Sequence, residues 1–177
     1  MSQLKPPVDK NDHTEGLPNA PITLVEFGDF ECPHCGAAYP VIKEIQKAFK
    51  KQLRFVFRPF PLSNVHPHAL QAAAAAEAAD RQHRFWPMHD MLFENQDRLD
   101  RRSLVAYAKA LELDLEQFNK DIDDPRIAGK IEASFESGVR SGVNGTPSFY
   151  INGSKYNGGN DYDSLERGLQ QVLADIT

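Results

Sequence analysis

Cysteine is scarce in this chain of 177 residues: there are two, at positions 32 and 35. A single pair excludes the disulfide framework that staples small secreted folds. A structural zinc site would need two further ligands, and no second C-x-x-C exists. His66 and His68 could help, but a proline between them is poorly suited to presenting both imidazoles together. No metal is therefore expected. Long apolar runs are also missing. The longest small-apolar run, Ala72 to Ala76, falls far short of the roughly 20 residues a membrane helix needs. Residues 1–20 are polar and proline-containing, without the apolar segment of a signal peptide. With Met1 as the natural start, the expected location is the cytoplasm; a mature periplasmic or extracytoplasmic form is the alternative. Positive charge is not in excess. The net charge of -5 argues against nucleic acid as the main partner.

What is present is ordinary for a soluble globular protein: 41% hydrophobic and 25% charged residues. The length suits one domain, or one domain with a large insertion, and allows a substantial core.

The most informative stretch runs from Ile22 to Lys51. Ile22-Thr23-Leu24-Val25-Glu26-Phe27 reads as a strand buried on both faces. Gly28 to Glu31 is a short connection. Cys32-Pro33-His34-Cys35 then enters a helical pattern, in which Ala37, Ala38, Val41, Ile42, Ile45, Ala48 and Phe49 recur at helical spacing. The cysteines are thus predicted at the tip of a strand, entering a helix. There the unpartnered N–H groups and the positive end of the helix dipole stabilise a thiolate. Cys32 is expected at the N-cap, facing solvent, as the attacking thiol. Cys35 lies one turn inside, more buried, as the resolving thiol. Pro33 suits the first helical position, having no N–H to leave unsatisfied. His34 can place positive charge beside the Cys32 sulfur. Pro40 should kink the helix.

Leu53 to Phe57 reads as a second strand, so strand, helix and strand make a βαβ unit. Residues 62–143 read as almost entirely helical: His68 to Asp80, an aromatic-rich segment around Phe85 to Phe93, Ser103 to Leu111, Glu116 to Ile122, and a helix opened by Asp124-Pro125. No linker separates this block, which implies an insertion packed on the βαβ core. Thr146 to Ile151 should be a strand. Asn152-Gly153 is a type I′ hairpin signal leading to a return strand at Lys155-Tyr156-Asn157. Tyr162 to Ile176 reads as the closing helix, with Leu165, Leu169, Val172, Leu173 and Ile176 inward. Residues 1–20, rich in proline, read as a loosely held arm.

This order resembles the thioredoxin fold. Phe30-Glu31-Cys32-Pro33-His34-Cys35, Arg58-Pro59-Phe60-Pro61-Leu62, His66-Pro67-His68 and Ser141-Gly142-Val143-Asn144-Gly145-Thr146-Pro147 resemble the bacterial DsbA-like thiol-disulfide oxidoreductases of the thioredoxin superfamily. Some members of that branch stand alone and others are fused to transporters. The resemblance implies an α/β thioredoxin fold, βαβ plus ββα, with a large helical insertion. It places the thioredoxin domain at 21–61 and 144–177, the insertion at 62–143 and the arm at 1–20. It implies Cys32 as nucleophile, Cys35 as resolving thiol and His34 as stabiliser of the reduced thiolate. It implies a cis Pro147 across from the disulfide, with Thr146 presenting backbone groups to an extended substrate. Glu26 matches a carboxylate buried beneath the cysteines, from where it could relay a proton to or from Cys35. Read from its residues alone, Glu26 is also compatible with an edge strand or with a pair to Arg54 or Arg58.

The expected function is thiol-disulfide exchange with protein or peptide substrates. It needs no cofactor beyond the Cys32–Cys35 disulfide, and a separate partner recycles the pair. A monomer without membrane insertion is expected. The rivals are a peptide-binding or chaperone-like module with incidental cysteines, and a thiol peroxidase.

Overall fold

Ile22, Leu24, Val25 and Phe27 have no solvent exposure, and this apolar run forms the middle of a sheet. The architecture is that of a computed structural model describing all 177 residues. Five strands, β1 (His13–Gly16), β2 (Ile22–Gly28), β3 (Leu53–Pro59), β4 (Ser148–Ile151) and β5 (Ser154–Lys155), lie in the order β1-β3-β2-β4-β5. The result is the mixed sheet of a thioredoxin-like fold, with seven helices α1 to α7 along the chain. β4 runs antiparallel to β2, with Glu26 opposite Phe149 and Phe27 opposite Ser148.

The chain forms two compact units. The first comprises Met1–Gly28, Ala37–Arg58 and Glu136–Thr177 and holds the sheet. Helix α1 (Pro33–Phe49) buries Ala38, Ile42, Ile45 and Phe49, a stripe of period 3.6. Helix α7 (Tyr162–Ile176) starts where the Asp161 carboxylate accepts the Ser164 N–H, and it buries Leu165, Leu169 and Leu173. Ile176, expected to point inward, is exposed in the last turn, where the helix runs out. Asn152 and Gly153 both take positive φ, as the type I′ reading requires. The return strand is Ser154–Lys155, shorter and earlier than expected.

The arm differs from the expectation. Residues 1–20 are not loosely held. β1 pairs with β3 from His13 opposite Phe57 to Gly16 opposite Arg54, and Leu4 is buried with its N–H donating to Gly153 O at 2.8 Å. Arg58 pins the rest. Its guanidinium donates to both Asp12 carboxylate oxygens at 2.7 and 2.9 Å, and to the carbonyls of Pro6 and Pro7. The prolines do exclude a helix, but a four-residue edge strand fits between Asp12 and Leu17.

The second unit comprises Asp29–Gly36 and Pro59–Phe135. Its centre is α2 (Ala69–Asp80), nine of whose residues are buried. A helix covered almost all round needs small side chains, so the alanine run lets α3 (Phe85–Glu94), α4 (Arg101–Ala110) and α5 (Leu115–Ile122) pack closely on it. Asp100 and Asp114 cap α4 and α5, which is why α4 begins at Arg101, before Ser103. α6 (Pro125–Ser141) follows Asp124 as expected. Phe60 is buried and stacks on Phe135 at 4.2 Å between ring centroids.

Arg58 and Asp12 are both largely buried, their side chains 7% and 10% exposed. Removing one partner strands the other charge, a loss of about 3 kcal/mol. Arg58→Ala should lower the urea midpoint without changing the slope, and should expose residues 1–12 to limited proteolysis. An unchanged midpoint would refute the pinning role.

Candidate active site

The Cys32–Cys35 turn is built from its backbone outward. Cys32 immediately precedes the first residue of α1, its N–H donates to Asp29 O at 3.1 Å, and its own carbonyl accepts the Gly36 N–H at 3.0 Å. It therefore occupies the cap position, next to the N–H groups that lack helical partners. Both cysteines are thiols in this structure. Cys35 is fully buried, and the Asp29 N–H points at its sulfur at 3.5 Å. Cys32 was expected to face solvent, but it is only 4% exposed. The Gln96 carboxamide donates to both Phe30 O and Cys32 O at 2.9 Å and so braces the backbone of the turn. Gly36 makes room for it, because a Cβ there would overlap the same carboxamide. Pro33 and His34 remain exposed. Phe30 anchors the turn below, buried edge-on to His89 and 4.9 Å from the Phe93 ring. His89 and Phe93 are thus core residues.

The connection before Cys32 carries two carboxylates two residues apart, Asp29 and Glu31. The loop before α2 carries two imidazoles with the same spacing, His66 and His68. The structure pairs them in register. Asp29 has a fully buried side chain and accepts from the Glu31 N–H, the Leu62 N–H and His66 Nδ1, each at 2.8 Å. Glu31 accepts from the His68 N–H at 2.8 Å and from His68 Nδ1 at 2.7 Å. The proline between His66 and His68 was expected to keep the two imidazoles from being presented together. Each meets its own carboxylate, and the intervening proline keeps both directed at one strand of loop. The signal was available, since Asp-x-Glu and His-x-His share a period of two, but it names no partner.

His66 is shifted upward from its ordinary 6.5. Burial opposes the charged form, but the hydrogen bond and charge of Asp29 outweigh it, followed by attraction to Cys32 and Glu31.

The remaining sequence-predicted residues lie in the sheet unit. Glu26 is 3% exposed in β2, which has neighbours on both sides, so it is not an edge-strand residue. Arg58 is engaged by Asp12, and the Arg54 guanidinium donates to the Thr23 hydroxyl at 3.2 Å. Thr146 and Pro147 are partly exposed just before β4; the peptide bond between them is cis, and Ser148 Oγ closes the loop onto Gly145 O at 2.7 Å.

The chain matches the family described as Thioredoxin over residues 9–171. It is 42% identical over 172 residues to the Na(+)/H(+) antiporter NhaA 3 of Salinispora tropica, covering 97% of this chain and 26% of that protein. It therefore spans about a quarter of the length of the curated relatives it matches. Among solved structures it resembles a thioredoxin-like oxidoreductase from Silicibacter pomeroyi, at 27% identity and TM-score 0.83, covering 94% of each chain. It also resembles oxidised BdbD from Bacillus subtilis, at 26% identity and TM-score 0.84, covering 98% of this chain and 97% of that one.

Two outcomes are expected. The His66 imidazole, followed by NMR, should titrate above 6.5. The stability it contributes should be complete below about 6.5, the unfolded value, and should fade as pH rises through the folded midpoint. A midpoint at or below 6.5 would contradict the pairing. Gln96→Ala removes two hydrogen bonds from the turn, a loss of about 1–2 kcal/mol, and should speed amide exchange at Gly36. Unchanged exchange would show that the carboxamide does not brace the turn.

Proposed function

We propose that this chain, a member of the thioredoxin family, is a DsbA-like thiol-disulfide oxidoreductase that exchanges disulfides with protein substrates through Cys32 and Cys35. The observation that carries this reading is Cys32 at the cap of a 17-residue helix, with Cys35 one turn inside and fully buried. Such a site favours the thiolate, the form that attacks a disulfide.

Taken in the reducing direction, the Cys32 thiolate attacks one sulfur of a substrate disulfide. A bond forms between Cys32 and that sulfur, and the other substrate sulfur leaves as a thiolate. Cys35 then gives up its proton and attacks the Cys32 sulfur, releasing the second substrate thiolate. The substrate gains two electrons, and the cysteine pair becomes a disulfide. The oxidising direction is the reverse, through the same mixed disulfide. In this proposal Glu26 relays the Cys35 proton, Pro33 preorganises the first turn, and His34 supplies charge near Cys32. The family likeness assigns Thr146 and Pro147 to the substrate peptide. The pair carries the electrons without a dissociable cofactor, and a separate redox partner resets it.

The likeness to the antiporters covers only about a quarter of their length, and no helix of this chain is long and apolar enough to cross a membrane. Disulfide exchange is therefore the activity carried to this chain, rather than ion transport.

Cys32→Ser should abolish insulin reduction and dithiol oxidation alike. Cys35→Ser should accumulate a mixed disulfide at Cys32, visible by mass spectrometry. Full activity of Cys32→Ser would favour a binding module with incidental cysteines. The reduction potential of the couple decides direction: roughly -220 to -320 mV marks a cytosolic reductant and about -120 mV an oxidant.

A further inference from the structure

The paired carboxylates and imidazoles around the turn play no part in the exchange step just described, yet they are held with more hydrogen bonds than any surface pair requires. Asp29 is the hub. Its carbonyl accepts the Cys32 N–H, its N–H points at the Cys35 sulfur, and its fully buried carboxylate accepts three N–H groups, one of them from the His66 ring. A carboxylate enclosed in this way is stabilised most by a donor that carries positive charge. Among its three donors, His66 is the one that can take up a proton.

We infer that His66, bound through Nδ1 to the buried Asp29 carboxylate beneath the cysteine turn, is a positioning residue whose protonated form stabilises the Cys32 thiolate and so makes the couple more oxidising. The inference rests on the exchange function proposed above.

Three observations favour His66 over His34 for this role. The His66 side chain is 19% exposed and fixed to a buried anion, whereas His34 is exposed. Charge interactions are screened less at a partly buried, fixed site than in open solvent. Attraction to Cys32 is among the causes that raise the His66 pKa, and such coupling is reciprocal: whatever Cys32 does for the imidazolium, the imidazolium does for the thiolate. The other charged neighbour, Glu31, would oppose a thiolate beside it, but His68 binds its carboxylate through both a ring nitrogen and a backbone N–H. The second pair therefore offsets the Glu31 charge, as His66 offsets that of Asp29.

The sign of the pH dependence follows. Below its raised midpoint His66 is charged and the thiolate is favoured. As pH rises through that midpoint the support is withdrawn, and Cys32 becomes a poorer anion relative to the unperturbed trend.

The test uses His66→Asn, which keeps a donor for Asp29 without charge, and His66→Lys, which restores charge. Thiolate absorbance against pH reads Cys32, and equilibration with glutathione reads the couple. In His66→Asn the Cys32 midpoint should rise and the oxidising power fall, on the order of tenfold; His66→Lys should stay near the unsubstituted protein. No change in His66→Asn, or equal changes in both variants, would overturn the inference and leave His66 a structural brace. In the unsubstituted chain the rate of Cys32 alkylation should show a second inflection at the NMR midpoint of His66, and a single inflection would likewise overturn it. The thiolate titration reads Cys32 whether or not any substrate is turned over. A loss of exchange function would therefore be seen separately, in the insulin assay.

Discussion

A carboxylate buried with no solvent contact has to find its hydrogen bonds inside the protein, and Asp29 finds them in a way that shapes the whole cysteine turn. Three donors converge on it, from Glu31, Leu62 and His66. Meeting that demand brings the loop at 62–66 against the connection that precedes Cys32. The same residue's backbone then bonds to one cysteine N–H and approaches the other sulfur. An unsatisfied buried carboxylate would be costly enough to reorganise the turn. The geometry of the reactive pair is thus tied to the solvation problem of a neighbour that does no chemistry itself.

Around this hub the turn is closed by groups of modest strength acting together. The Gln96 carboxamide holds two carbonyls, the absent side chain of Gly36 leaves it space, and Phe30 sits in an aromatic nest with His89 and Phe93. The alanine-rich α2 serves the same unit differently, by being small on every side. Cys32 is nearly enclosed, while Pro33 and His34 stay exposed beside it.

Much of the fold was readable from residues. β2 was visible as an apolar run, α1 and α7 as stripes of period 3.6, the hairpin at Asn152-Gly153 as turn chemistry, and α6 as Asp-Pro. The misses share a cause. β1 was hidden because His13-Thr14-Glu15-Gly16 has little intrinsic strand character; pairing with β3 makes it a strand. Ile176 was placed inside because periodicity does not say where cover ends. Cys32 was placed in solvent because a helix-cap position says nothing about what the rest of the fold packs over it.

The division follows physical range. Within one turn of helix or one hairpin, spacing and capping chemistry suffice, so the chain's own order of residues determined the Cys-x-x-Cys pair, its place at a helix start, and which thiol lies deeper. Contacts across 37 or more residues depend on how packed elements bring loops together, and no local pattern encodes the partner. Only the tertiary structure decided that Asp29 meets His66, that Glu31 meets His68, and that a glutamine covers the first sulfur's backbone. Burial made those choices, because polar groups removed from water must be satisfied by whatever the fold places beside them.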